Sequence, residues 1–150
     1  MRDVKLAADK LRPVYDRSGG ADGFVSLEVD PHLAHDTVNT VSEARRLWHE
    51  LKRPNVFIKV PGTAEGMPAV TQLISEGINV NITLLFGLDR YIETVGAYFA
   101  GIEERLKRGQ AVNNVSSVAS FFLSRIDTMA DAMLEEIIAK DEAKAETARQ

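Results

Sequence analysis

The chain has no cysteine, which excludes disulfides and thiolate chemistry and fits a cytosolic protein. No apolar stretch approaches the roughly 20 residues of a membrane span, and the N-terminus is not that of a signal peptide. Excess positive charge is also missing. A net charge of -4 and a pI of about 5.4 speak against sequence-independent nucleic-acid binding, so any phosphate recognition must be local. There is no G-x-G-x-x-G turn of the kind that opens dinucleotide-binding sheets, and no low-complexity segment or linker. What is present is 150 residues, 45% hydrophobic and 27% charged. That is the balance of an ordinary globular protein, with enough chain for one domain and a real core.

The hydrophobic pattern alternates between strand and helix periods. Val4, Ala8 and Leu11 share a helical face, which predicts a helix over Met1 to Leu11 ended by Pro13. Phe24 to Val29 reads as a strand after the Gly19-Gly20 and Asp22-Gly23 breakers. Asp30-Pro31 predicts an N-cap and first-turn proline, with a helix running to about Lys52. A strand over Val56 to Val60 precedes a helix from Glu65 to Ser75, with Thr63 near its N-cap and Gly77 closing it. A third strand is predicted over Ile78 to Leu84, and a long helix from Leu88 to Lys107 is ended by Gly109. A fourth strand over Ala111 to Val118 and a helix from Phe122 into the charged tail complete the series. Lys140 to Gln150, with alternating charge and few apolar residues, is expected to fray.

The order α-βα-βα-βα-βα predicts an α/β protein with a parallel sheet and right-handed crossovers. Polar residues fall at the predicted strand ends: Glu28, Lys59, Thr83 and Ser120, spaced 31, 24 and 37 positions apart. Their mean of about 31 matches roughly 250 residues divided over the eight units of a (β/α)8 TIM barrel, whose chemistry sits at the carboxyl ends of strands. Only about four such units fit into this chain.

Lys59 stands inside the apolar run Val56-Phe57-Ile58-Lys59-Val60. An ammonium there costs several kcal/mol unless paired or deprotonated, and a desolvated lysine is a usable amine nucleophile for carbonyl condensation. The competing reading is a lysine snorkelling from a strand end to solvent. Asn81 and Thr83, two apart on a strand, share a face. They could carry chemistry or merely fill a barrel mouth with polar groups. Glu28 could equally be a surface carboxylate beside Asp30, and Arg125 a surface arginine paired with Asp127 or Asp131. Pro61-Gly62-Thr63 is better explained by a helix N-cap than by a phosphate cradle. His32, His35, Asp30 and Asp36 match no zinc spacing and argue against a metal site. Trp48 and His49 read as packing or surface groups, and Tyr91, Tyr98 and Phe99, at helical spacing, as core.

Four segments together resemble the transaldolase family. They are Asp22 to Pro31 (DGFVSLEVDP), Ile58 to Thr63 (IKVPGT), Gly77 to Phe86 (GINVNITLLF) and Ser120 to Asp127 (SFFLSRID). The resemblance covers nearly the whole chain, from the Leu11-Arg12-Pro13 segment to about Asp127. It implies a (β/α)8 Schiff-base enzyme that needs no metal or organic cofactor. Such an enzyme moves a dihydroxyacetone unit from fructose 6-phosphate or sedoheptulose 7-phosphate to erythrose 4-phosphate or glyceraldehyde 3-phosphate. By resemblance, Lys59 is the Schiff-base lysine, and Glu28 the carboxylate that holds and polarises a catalytic water. Thr83 is the hydroxyl sharing that water, with Asn81 on the same face. Ser120 and Arg125 match the sixth-strand serine and the arginine facing the substrate's phosphate end. Cytoplasmic placement and a pentose phosphate role follow from the likeness alone.

The family's first-strand aspartate, second-strand asparagine and second phosphate arginine have no counterpart here. Laid on the family pattern, the sequence is expected to form about the central half of a barrel. Two expectations follow: self-association or pairing with a complementary half-barrel, and weak transaldol transfer by the isolated chain. A related fructose 6-phosphate aldolase, releasing free dihydroxyacetone, and a non-catalytic interaction module are the alternatives.

Overall fold

Four short strands pair side by side in the order in which the chain makes them. They are β1 (Val25–Glu28), β2 (Val56–Pro61), β3 (Val80–Leu85) and β4 (Ser117–Phe121), in the sheet order β1-β2-β3-β4. This is a computed structural model, and it describes residues 1–140. The ladders β1–β2 and β2–β3 are parallel, as crossover helices require. The helices are α1 (Arg2–Arg17), α2 (Thr37–Leu51), α3 (Gly66–Glu76), α4 (Leu88–Lys107) and α5 (Leu123–Lys140). Parallel strands in sequential order, each followed by a helix, are the construction of a (β/α) barrel, here with four strands among the described residues. The chain divides into two compact units, Met1–Ser120 and one that opens at Phe121.

In β2 the side chains alternate between two faces. Val56, Ile58 and Val60 are fully buried, while Phe57, Lys59 and Pro61 point the other way. The first set joins Leu51, Val70, Leu73, Ile74, Val80 and Ile82 in the core. Full burial of each large aliphatic side chain contributes about 1.5–3 kcal/mol. Helices α3 and α4 approach closely at Gly101, where an added Cβ would stand 2.7 Å from both the Ile74 Cβ and the Thr71 carbonyl.

Several predicted boundaries move, each for a local reason. Helix α1 runs through Pro13 to Arg17. It is carried past the proline by the Arg12–Asp16 pair and by Tyr15, whose ring packs edge-on against Phe24 at 5.2 Å; tertiary packing outweighs local propensity. The helix expected from Asp30 to Lys52 is two pieces. Asp30 caps only a 3-10 turn, Pro31–Leu33, and α2 starts afresh where Asp36 accepts from the Asn39 N–H at 3.0 Å. Ile78 belongs to the C-cap of α3 rather than to β3, because its N–H is taken by the Leu73 carbonyl at 3.0 Å. Strand β4 begins at Ser117, not Ala111. The amide of Ser116 is bonded by the Asn79 side chain at 2.9 Å, and Asn113-Asn114 form a turn before it.

The second unit contains α5, which has no buried residue. The fraying expected of the tail concerns residues 141–150, outside the described residues, and Lys140 itself ends α5 beside Glu136.

Candidate active site

Lys59 and Glu28 come together because parallel pairing puts them opposite one another: the β1–β2 register matches Glu28 with Lys59. The Lys59 Nζ lies 3.5 Å from the Glu28 Oε2, with the lysine side chain 26% exposed and the glutamate 40%. The lysine is therefore neither as dry as its apolar run predicts nor free in solvent. Its face of the sheet carries polar neighbours in register, Glu28 on one side and Asn81 on the other.

Asn81 is directly opposite Lys59 on β3 and is held from two sides. Its amide nitrogen donates to Ser26 Oγ at 3.2 Å, and its carbonyl oxygen accepts from Ser120 Oγ at 2.7 Å. A side-chain chain Ser26–Asn81–Ser120 thus spans β1, β3 and β4. Ser26 was missed by the sequence reading; the available signal was its position two residues before Glu28, which puts it on the same face.

Thr83 continues that face, opposite Pro61. It is completely buried, and its Oγ1 has no hydrogen-bond partner. Leaving a buried hydroxyl unsatisfied costs about 1–3 kcal/mol, a cost more often tolerated at a functional position than in ordinary core. The next residue, Leu84, has φ of +62°, a left-handed conformation that costs a bulky L-residue roughly 1–3 kcal/mol.

The loops following β1 and β2 are clasped together above this row. Thr63 Oγ1 donates to the Ala34 carbonyl at 2.5 Å, and Thr37 Oγ1 donates to the Glu65 carbonyl at 2.6 Å. Thr63 also accepts from the Gly66 N–H at 3.0 Å; it braces the first residue of α3 from two positions before the N-cap, which is Glu65 and makes no side-chain cap bond. His35 Nδ1 lies 3.1 Å from Glu65, and that hydrogen bond is the main cause holding the Glu65 carboxyl below its usual range.

The residues that invited a metal reading are engaged otherwise. Asp30 is held low by the His32 backbone N–H and ring, and Asp36 by the Asn39 N–H. Among the described residues no three His, Asp or Glu side chains converge. Trp48 is half-buried and His49 exposed on α2. Tyr91 and Phe99 are exposed, at 40% and 57%, and not core, because α4 turns Thr94, Ala97 and Gly101 inward instead. Arg125 belongs to the second unit, in the first turn of α5, where its guanidinium carbon lies 4.5 Å over the Phe122 ring.

An amine, a carboxylate and a hydroxyl on one face can move protons during attack of the amine on a carbonyl. Comparison with known proteins shows the family. The family model described as Transaldolase/Fructose-6-phosphate aldolase matches residues 1–150. A protein named Transaldolase from Frankia alni is 54% identical over 143 residues, which is 95% of this chain and 38% of the relative. The Transaldolase of Acidothermus cellulolyticus is 52% identical over 135 residues, 90% of this chain and 36% of that protein. Transaldolase 2 of a Nostoc species is 53% identical over 138 residues, 92% of this chain and 36% of its own length. The chain therefore spans under two-fifths of the curated relatives it matches.

Proposed function

Because the chain belongs to the transaldolase/fructose-6-phosphate aldolase family, we propose that it carries the Schiff-base portion of a transaldolase site, with Lys59 as nucleophile. The Lys59 amine adds to the ketose carbonyl of a sugar phosphate, giving a carbinolamine. Loss of water yields an iminium, which accepts the electron pair released when the neighbouring carbon–carbon bond breaks. Glu28 takes and returns protons at the carbinolamine stage, through a water that it shares with the Thr83 hydroxyl. Asn81 and Ser120 bind the substrate's hydroxyls. The dihydroxyacetone unit then passes to an aldose phosphate acceptor.

One observation carries this reading: a lysine on a strand, 3.5 Å from a carboxylate and in register with a polar amide. Matched relatives named Transaldolase favour transfer over release of free dihydroxyacetone. Borohydride reduction in the presence of fructose 6-phosphate tests it. A mass increase on Lys59 is expected, absent in Lys59→Met; no increase in the wild-type chain would leave a non-catalytic module.

The proposed setting is the cytoplasm, in sugar-phosphate metabolism. Among the described residues no helix is long and apolar enough to cross a membrane. We also propose that the chain associates with another polypeptide or a second copy. Leu88, Ile92, Phe99 and Leu106 lie along α4 at spacings of four, seven and seven residues, on one helical face, and are 56–72% exposed. Light scattering coupled to size exclusion is expected to give more than a monomer's mass, and a clean monomer would count against association.

A further inference from the structure

We propose that Leu84 is a positioning residue: its left-handed backbone, rather than its side chain, aims the Thr83 hydroxyl into the Lys59 site. Leucine has no reason of its own to sit at φ +62°, since its Cβ crowds the backbone there and only glycine, or less readily asparagine, adopts it without cost. Nor does side-chain packing explain it, because Leu84 is 44% exposed. The explanation must lie in what the turn does to its neighbours.

Those neighbours are constrained on both sides. Strand β3 places Val80, Asn81, Ile82 and Thr83 in buried positions, then Leu84 exposed, then Leu85 buried again. Before the turn, the Thr83 carbonyl accepts from the Gly62 N–H at 2.7 Å while its side chain stays fully enclosed. After it, Leu85 folds over the same glycine so tightly that a Cβ on Gly62 would meet Leu85 Cδ2 at 2.5 Å and the Thr83 carbonyl at 3.0 Å. Gly62 follows directly on β2, three residues beyond Lys59. The left-handed residue is thus the link between two groups that close on the lysine strand: Thr83 through its carbonyl and Leu85 through its side chain. A regular extended residue at 84 would break one of the two, and the Thr83 hydroxyl, which no neighbouring protein group holds, would lose its aim.

The role rests on the Schiff-base reading, and the test separates the two. The measured quantity is the rate at which borohydride traps a fructose 6-phosphate adduct on Lys59. Leu84→Ile keeps every carbon but disfavours the left-handed turn; it is expected to slow trapping by roughly ten- to a hundredfold. Leu84→Gly removes the whole side chain but welcomes the turn, and is expected to trap at the wild-type rate with an equal or higher urea midpoint. A packing role predicts the opposite order. Should Leu84→Ile fail to fold, Leu84→Val, branched at the same carbon, takes its place and must be slower than Leu84→Gly. Equal rates in the paired variants, or a slower Leu84→Gly, would overturn the positioning role alone. No label on Lys59 in the wild-type chain would overturn the Schiff-base reading and this role with it.

Discussion

Glu28 Oε2 stands 3.5 Å from Lys59 Nζ, and the two residues are direct partners across the β1–β2 ladder. Their separation is thus set by backbone pairing, and does not depend on long side chains finding one another. A partly exposed ion pair of this kind contributes little to stability, about 0–1 kcal/mol. A proton carrier held beside an attacking amine can contribute far more to rate, on the order of 10²–10⁴-fold. Glu28→Gln, nearly equal in shape, is therefore expected to leave the urea midpoint almost unchanged while slowing trapping at Lys59 by about a hundredfold. Equal slowing and unfolding would show the carboxylate to be structural.

Thr83 separates stability from chemistry in the opposite sense. Its hydroxyl is buried without a protein partner, so replacing it by a methyl of the same shape removes an unsatisfied group and opens no cavity. Thr83→Val is expected to gain about 1 kcal/mol in urea denaturation and to lose adduct formation. Functional positions commonly trade in this direction. A less stable Thr83→Val would mean that the hydroxyl is satisfied in solution and that the site is ordinary core.

The sheet was legible because its signals are local: β-branched runs, aspartate caps and a closing glycine state each element within a few residues. The pairing of Lys59 with Glu28 followed only from the order of the strands plus the family likeness, since residues 31 positions apart meet through register alone. What escaped was decided by tertiary contact. Pro13 is carried inside α1 while Tyr15 packs on Phe24, and the Asn79 side chain takes the Ser116 amide that a longer β4 would have used. Ser26 went unnoticed because one serine in a strand has no pattern until Asn81 is seen to reach it. The dryness of Lys59 was overestimated because an apolar run reports the neighbours along one strand, not the polar partners across two.

Asn79 makes a strong claim on stability. Its amide nitrogen donates to the carbonyls of Pro54 at 2.9 Å and Val56 at 3.2 Å, and its oxygen accepts from the Ser116 N–H at 2.9 Å. One buried side chain thereby fixes the entry to β2, the start of β3 and the approach to β4. Asn79→Ala strands these groups, each at about 1–3 kcal/mol before relaxation. A loss of at least about 2 kcal/mol is expected in urea denaturation, with Lys59 trapping retained in the fraction that stays folded. A loss under about 0.5 kcal/mol would show that water replaces the amide at little cost.

Acid should reveal the Arg45–Glu76 pair, which joins α2 to α3 through bonds of 2.8 and 2.5 Å. Hydrogen bonding from Arg45 holds the Glu76 carboxyl below its ordinary 4.5, against the opposing effect of burial. The native state therefore binds fewer protons at this site than the unfolded chain does in the titrating range. Its stabilisation is complete above the ordinary glutamate value, shrinks as the pH falls below it, and vanishes once the pH has passed below the lowered native value. Both side chains are partly exposed, 42% and 27%, so screening limits the contribution to about 0.2–1 kcal/mol. Comparing urea midpoints of the wild type and Glu76→Gln, the wild type is expected to lead at neutral pH by that margin. The lead should shrink as the pH is taken further below the ordinary glutamate value, and shrink also in 1 M salt, where the screening length is about 3 Å. A gap that persists in acid would assign the effect of Glu76 to packing of its methylene stem instead of its charge.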